Sequence, residues 1–344
     1  MIKVRGRGLL DVSEIVEEEL IINDGVTQKA MALMANVVPS TINRAVSFSG
    51  IVPIQNGARG KLRYDVPGVR EILKKFISNK FRIDKKIHCF YNFKGGVGKT
   101  SICFQIASHL ALCGFNVLVI DADPQGHLST SLGFNNDGSY CTLYDAIVGV
   151  KTIDEVIQNI YEGLDCVPAN LSLTRAEVSL NEMPKREERI SLLLAPIIDR
   201  YDFVIFDTNP TISYLNRNVI TCCDIINIIV ETQAYSLNGV KLLLSDIESF
   251  CNSMMMSAPQ IFMFPNKYED RAATSVEAMT VLNRLYPKYL IPNFAIRKSE
   301  EFNIASKLSK PLAFFCRTNS IAFEDVLEIM NFLIEKCGTK IGDK

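Results

Sequence analysis

The segment Phe93-Lys94-Gly95-Gly96-Val97-Gly98-Lys99-Thr100-Ser101 sets two lysines around three glycines. Placed after a β-type run and before a helical one, such a turn aims free backbone N–H groups at an anion, and glycine lets the backbone come close. Lys99 would neutralise β- and γ-phosphates, the Thr100 hydroxyl would ligate Mg²⁺, and Ser101 lies beside them at the helix start. Lys94 is the unusual member. A cation at the first turn of the loop folds back poorly onto its own phosphates and can reach those of a neighbour.

Carboxylates follow where phosphate chemistry needs them. Val119-Ile120-Asp121-Ala122-Asp123-Pro124-Gln125-Gly126 closes one apolar run with two acids at the carboxyl edge of a strand. Tyr201-Asp202-Phe203-Val204-Ile205-Phe206-Asp207 delivers a third, Asp207, toward the metal. Asn266-Lys267-Tyr268-Glu269 ends another run and approaches the N-K-x-D pattern that reads guanine, so the choice between ATP and GTP stays open on these residues alone.

The elements that must hold these groups alternate. Apolar runs at 87–93, 115–121, 203–207, 225–231 and 261–266 are separated by helical patterns at 99–112, 187–199, 236–251, 271–285 and 320–336. Runs apolar on both faces indicate a mostly parallel sheet covered by helices, an α/β fold of the P-loop NTPase kind. Residues 1–88 carry 15 Lys and Arg against 9 Asp and Glu, whereas the remainder carries 22 against 29, so a basic module precedes an acidic core. The expected divisions are an N-terminal helix in 1–25, a small domain over 26–85 and the nucleotide domain over 86–344.

Lys94 through Thr100 matches K-G-G-x-G-K-[ST], and over residues 86–335 the chain resembles the ParA/MinD family of deviant Walker A ATPases. The 121–126 segment looks like that family's D-x-D-P-Q-G, and Ile296 to Leu312 looks like its I-P…E-A…P-L stretch, with Glu301 and Pro311 in matching places. The resemblance implies ATP and Mg²⁺ as ligands, Asp123 acting on the attacking water, Asp121 and Asp207 on the metal side, and Asn266 against the adenine. It also implies a homodimer in which Lys94 crosses to the partner's nucleotide. One departure is Asn209, which stands where the family has the first of two prolines.

Ala30 to Ala45 reads as a helix-turn-helix, with a first helix around 27–35, a turn near 36–39 and a second helix started by Ser40. That second helix would present Ser40, Thr41, Asn43 and Arg44 to bases. Arg59, Lys61 and Arg63 would form a basic hairpin against phosphates. The pattern resembles the modules that precede the ATPase in plasmid-type ParA proteins. Leu9 to Ile22 reads as an acidic amphipathic helix, able to pair with its copy or to pack on its own domain.

With 48% hydrophobic and 22% charged residues the composition is that of a globular protein, and no apolar run reaches spanning length. Glu17, Glu18 and Glu19 stand where an export signal needs an apolar stretch, so the expected location is cytoplasmic, at the nucleoid. The ten cysteines form no C-x-x-C pair and read as buried free thiols. The expectation is a DNA-partitioning ATPase released by a centromere-binding ParB-type partner, with Arg297, Lys298, Lys307 and Lys310 as further contacts to non-specific DNA. A MinD-like membrane cycle and a nucleotide-regulated repressor are the alternatives. The last helical pattern carries Glu324, Asp325, Glu328 and Glu335, which anionic lipid would repel, so no membrane partner is expected.

Overall fold

Five strands that are buried along almost their whole length set the architecture, and a computed structural model describes them within residues 25–54, 62–135, 139–233 and 236–342. The main sheet has seven strands: β1 (Ile87–Tyr91), β2 (Val117–Ala122), β3 (Gln158–Tyr161), β4 (Leu164–Val167), β5 (Phe203–Thr208), β6 (Ile225–Glu231) and β7 (Gln260–Asn266). Their spatial order is β7-β6-β1-β5-β2-β4-β3, and every pair is parallel except β3 with β4. Pro265 cannot donate to a ladder, and β7 is an edge strand, where that lack is tolerated.

Alternation along the strands feeds two cores. Phe90, Ile225 and Ile229 face the core shared with the helix after the glycine-rich loop, whereas Cys89, Tyr91, Ile226 and Ile228 face the opposite one. The chain winds outward from β1 in both directions, which opens a crevice at the carboxyl ends of β1, β5 and β6. The loop after β1 lies there.

Near the N-terminus, α1 (Gln28–Met34) starts at Thr27, whose hydroxyl accepts from Ala30 N at 3.2 Å. The next helix, α2 (Pro39–Ser49), begins at Pro39 rather than Ser40, because proline's fixed φ and missing N–H suit a first helical position, and it ends at Gly50 with φ 72°. A third helix, α3 (Val66–Phe76), is capped by Asp65, which accepts from Gly68 N at 3.0 Å. Met31, Ile42, Val46, Ile72 and Leu73 from these helices join the same core as α4 (Lys99–Leu112) and α5 (Ile321–Cys337).

Arg70 of α3 is almost fully buried and donates to the carbonyls of Ala111 and Phe115, the latter at 2.8 Å. A cation is thereby seated at the carboxyl end of α4, where the helix dipole favours it. Between α3 and the sheet, Phe81–Ile83 pairs antiparallel with Gly338–Lys340. The Leu9–Ile22 helix and the residues Arg59 and Lys61 lie outside the described residues.

Candidate functional site: a glycine-rich loop with two lysines

The loop between β1 and α4 is shaped by two glycines at positive φ. Gly96 has φ 71° and Gly98 φ 96°, and a Cβ on Gly98 would stand 2.4 Å from Asn266 Nδ2. Gly98 is also the N-cap of α4 and has no side chain to satisfy the first N–H groups, which leaves them to an anion. Lys99 is buried beside them, and burial lowers its ammonium against the opposing pull of Asp207 and Asp123. Thr100 Oγ1 donates to Asp207 Oδ2 at 2.6 Å. Ser101 follows half-buried in the same turn.

Asp207 and Asp121 are register neighbours on β5 and β2 and both are fully buried. Burial pushes Asp207 well above the ordinary carboxylate range; Asp121 adds to this, while Thr100 and Lys99 pull back. Burial likewise raises Asp121 to about 6, against hydrogen bonds from Ser129 and Asp123. Asp207 Oδ1 has no hydrogen-bond partner among the described residues. An orphaned carboxylate oxygen beside a threonine hydroxyl fits a hydrated Mg²⁺. No cluster of three or more His, Cys, Asp or Glu side chains suited to a metal exists among the described residues, so phosphate and water would complete such a shell.

Asp121, beside Asp207 in the sheet, is held by its own turn. Its Oδ1 accepts from Asp123 N at 3.1 Å, and its Oδ2 accepts from Ser129 N at 2.8 Å and Ser129 Oγ at 2.7 Å. It braces the turn that presents Asp123. Asp123 is half-buried and accepts from Gln125 N at 2.9 Å.

Asn266 ends β7 against the phosphate loop. Its amide donates to Val97 O at 2.7 Å and its Oδ1 accepts from Lys267 N at 2.8 Å, so it is tied to the phosphate loop. Lys94 donates to Glu231 at the end of β6. Lys267 reaches the same carboxylate at 3.3 Å and Gly96 O at 2.7 Å. Burial pushes Glu231 up, but hydrogen bonds from the two lysines outweigh it and hold the carboxyl below its usual range.

Three side chains that hold these loops were assigned no role from the sequence: Glu231, Lys267 and Asn216. Asn216 donates to Asn209 O at 3.0 Å, Asn209 Oδ1 at 2.6 Å and Thr211 O at 2.6 Å, so it fixes the loop in which asparagine replaces proline. The Asn-Lys step was visible in the sequence as a pattern. What it touches was not.

Among expected DNA contacts, Ser40, Asn43 and Arg44 are exposed on α2 and Thr41 is half-buried. Arg63 is buried instead, donating to Gly25 O at 2.7 Å and Phe314 O at 2.6 Å, so it fastens the N-terminal segment to the core. Arg297 is paired with Asp325 at 2.6 Å and Glu324 at 3.1 Å, and Lys298 with Glu269 at 2.9 Å. Lys307 is exposed and Lys310 half-buried.

A family described as an AAA domain matches residues 85–258. The cell division protein PomZ of Myxococcus xanthus is 31% identical over 249 residues, covering 72% of this chain and 77% of that protein. The chromosome partitioning protein ParA of Caulobacter vibrioides is 34% identical over 166 residues, which is 47% of this chain and 62% of that protein. The chain belongs to the ParA family of P-loop ATPases.

Two solved structures share this ParA-type fold. A McdA variant of Cyanothece in complex with ATP superposes with TM-score 0.66 at 20% identity, over 74% of this chain and 97% of that one. A plasmid partition protein of Borrelia burgdorferi bound to AMPPNP gives 0.62 at 21%, over 74% and 100%. Among the described residues no helix is long and apolar enough to cross a membrane.

Proposed function

We propose that this ParA-type chain is an ATP-dependent DNA-partitioning or positioning ATPase that closes as a nucleotide-sandwich homodimer on DNA and is released by partner-stimulated hydrolysis. The observation that carries it is the division of labour between the two loop lysines. Lys99 is buried among Asp207 and Asp123, whereas Lys94 is 43% exposed at its side chain and rests on Glu231. A cation kept apart from the Asp207–Asp123 cluster, on a carboxylate at the end of β6, can exchange that pair for a triphosphate in the opposing subunit. ATP is the nucleotide favoured, because a McdA and a Borrelia partition protein of the same fold hold ATP or AMPPNP.

In that reading the N–H groups of the loop and Lys99 bind the β- and γ-phosphates, while Thr100 and Asp207 hold Mg²⁺ through hydroxyl and water. The metal supplies neutralisation of the charge that develops on the transferred phosphoryl group. Asp123, presented by the turn that Asp121 braces, orients the attacking water. Residues 26–85 form the DNA module, with α2 presenting Ser40, Asn43 and Arg44; this arrangement also supports repression of an operator. Lys307 and Lys310 contribute on the core. Arg63 and Arg297 are tied to internal partners and take structural roles, while Lys298 is exposed and paired with Glu269 at the surface.

A membrane cycle is disfavoured by packing. The apolar face of α5, including Phe323, Leu327, Met330 and Leu333, is buried in the core with α4 rather than offered to lipid. A nucleoid-associated, cytoplasmic location and a ParB-type partner follow from the partitioning role. The decisive experiment measures ATP turnover with and without DNA and with the proteins encoded beside this one. Turnover indifferent to every addition would overturn the reading.

A further inference from the structure

The corner after β7 reaches the phosphate loop with two side chains. Lys267 Nζ donates to Gly96 O at 2.7 Å and Asn266 Nδ2 to Val97 O at 2.7 Å. In a planar trans peptide the carbonyl of one residue and the N–H of the next point in opposite directions. Tying the carbonyls of Gly96 and Val97 to this corner therefore turns the N–H groups of Val97 and Gly98 away from it, toward the interior of the loop.

Two details show that the corner is built for this contact. Lys267 sits at φ 57°, in the left-handed region that a side chain larger than glycine occupies only when its surroundings hold it there. Its own N–H donates to Asn266 Oδ1 at 2.8 Å, which orients the amide so that its NH₂ faces Val97. Glu231 takes the other side of the ammonium at 3.3 Å.

We propose that Lys267 is a positioning residue of the phosphate loop, holding the Gly96 carbonyl outward so that the loop is set for a polyphosphate independently of any base. The proposal rests on the nucleotide-binding reading above. It deepens that reading by assigning the residue after Asn266 to the phosphates rather than to base recognition.

The test uses the full chain with Mg²⁺, titrating a fluorescent ATP analogue and then competing it with ATP and with inorganic tripolyphosphate. Lys267→Met should weaken ATP and tripolyphosphate by the same factor, about tenfold for one charge-assisted hydrogen bond. Lys267→Arg, which keeps a donor and the charge, should recover most of both affinities. The Lys267 side chain is 40% exposed, so a thermal melt of the Met variant should match wild type and exclude misfolding.

Unchanged affinities in Lys267→Met would overturn the proposal, as would a loss for ATP with tripolyphosphate unaffected, which would mark a base contact. Equal weakness of the Met and Arg variants would remove the donor role. Wild-type protein that bound neither ligand would overturn the nucleotide reading itself, and this proposal with it.

Discussion

Lys94 and Glu231, 137 residues apart, form an ion pair within one chain. Glu231 is 11% exposed at its side chain and shares its other oxygen with Lys267, so it stays charged and compensated when Lys94 leaves. In the proposed cycle the pair would hold the second lysine until the dimer closes. Glu231→Gln should raise the ATP-dependent dimer fraction about threefold, the scale of a partly exposed ion pair. ATP affinity should stay near wild type. Lys94→Ala should bind ATP but neither dimerise nor turn over. Sedimentation with ATP checks both, and a dimer fraction lowered by Glu231→Gln would make Glu231 an interface residue instead.

The three carboxylates should separate by readout. Asp123→Ala should keep nucleotide binding while turnover falls at least ~10²-fold, the usual range for a group acting on the attacking water. Asp207→Asn should weaken the Mg²⁺ dependence of ATP binding, because the orphaned Oδ1 no longer serves as an anionic acceptor. Asp121→Asn replaces an acceptor that serves three donors, so its first effect should be stability, lowered by about 1–3 kcal/mol. Urea melts alongside Mg²⁺ titrations distinguish them. An Asp121→Asn protein of wild-type stability with weakened Mg²⁺ binding would instead make Asp121 part of the metal shell.

The phosphate loop was legible because its geometry is local: Gly96 and Gly98 need positive φ, and a strand and a helix flank them on the chain itself. The long buried strands were legible for the same reason, and β6 begins and ends where its apolar run does. Contacts made across the fold were not. Asn266 could be placed at a strand end, but not its hydrogen bond to Val97, 169 residues away. Arg63 looked like a wing cation, and only the approach of Phe314 makes it a buried fastener. The 187–199 segment read as one helix, but Pro196 breaks it into Arg189–Leu194 and a 3₁₀ turn at Ile198–Arg200. Three-residue strands such as Phe81–Ile83 carry too little periodicity to be read at all.

DNA contacts on α2 should be electrostatic and separable from structure. Arg44 is exposed, so Arg44→Ala should weaken binding across all sequences and reduce the salt slope by about 0.9 for each phosphate left without its cation. Arg63→Ala should instead cost about 1–3 kcal/mol of stability, by leaving the carbonyls of Gly25 and Phe314 without their donor. Its salt slope should not change. Fluorescence anisotropy at several salt concentrations, with urea melts, checks the pair. A flat salt response in wild type would remove α2 from the DNA surface.

His109 lies buried on α4, and burial lowers its pKa to about 4, as it does for His88. The hydrogen bonds define a neutral ring: Nδ1–H donates to Gln105 O at 2.7 Å, and Nε2 accepts from Ala313 N at 3.3 Å. Protonation would set a second N–H against that of Ala313. The unfolded chain binds this proton near the ordinary histidine value of about 6.5, and the folded protein does so only near 4, so between those values the unfolded state holds more protons. Stability is therefore complete above about pH 6.5 and falls as pH drops toward 4, by about 1.4 kcal/mol per pH unit for each histidine. His109→Gln, unable to titrate, should reduce the slope of stability against pH by that amount between about pH 6 and 4.5. Urea midpoints across this range provide the check, and an unchanged slope in the variant would show that His109 is charged in the folded protein.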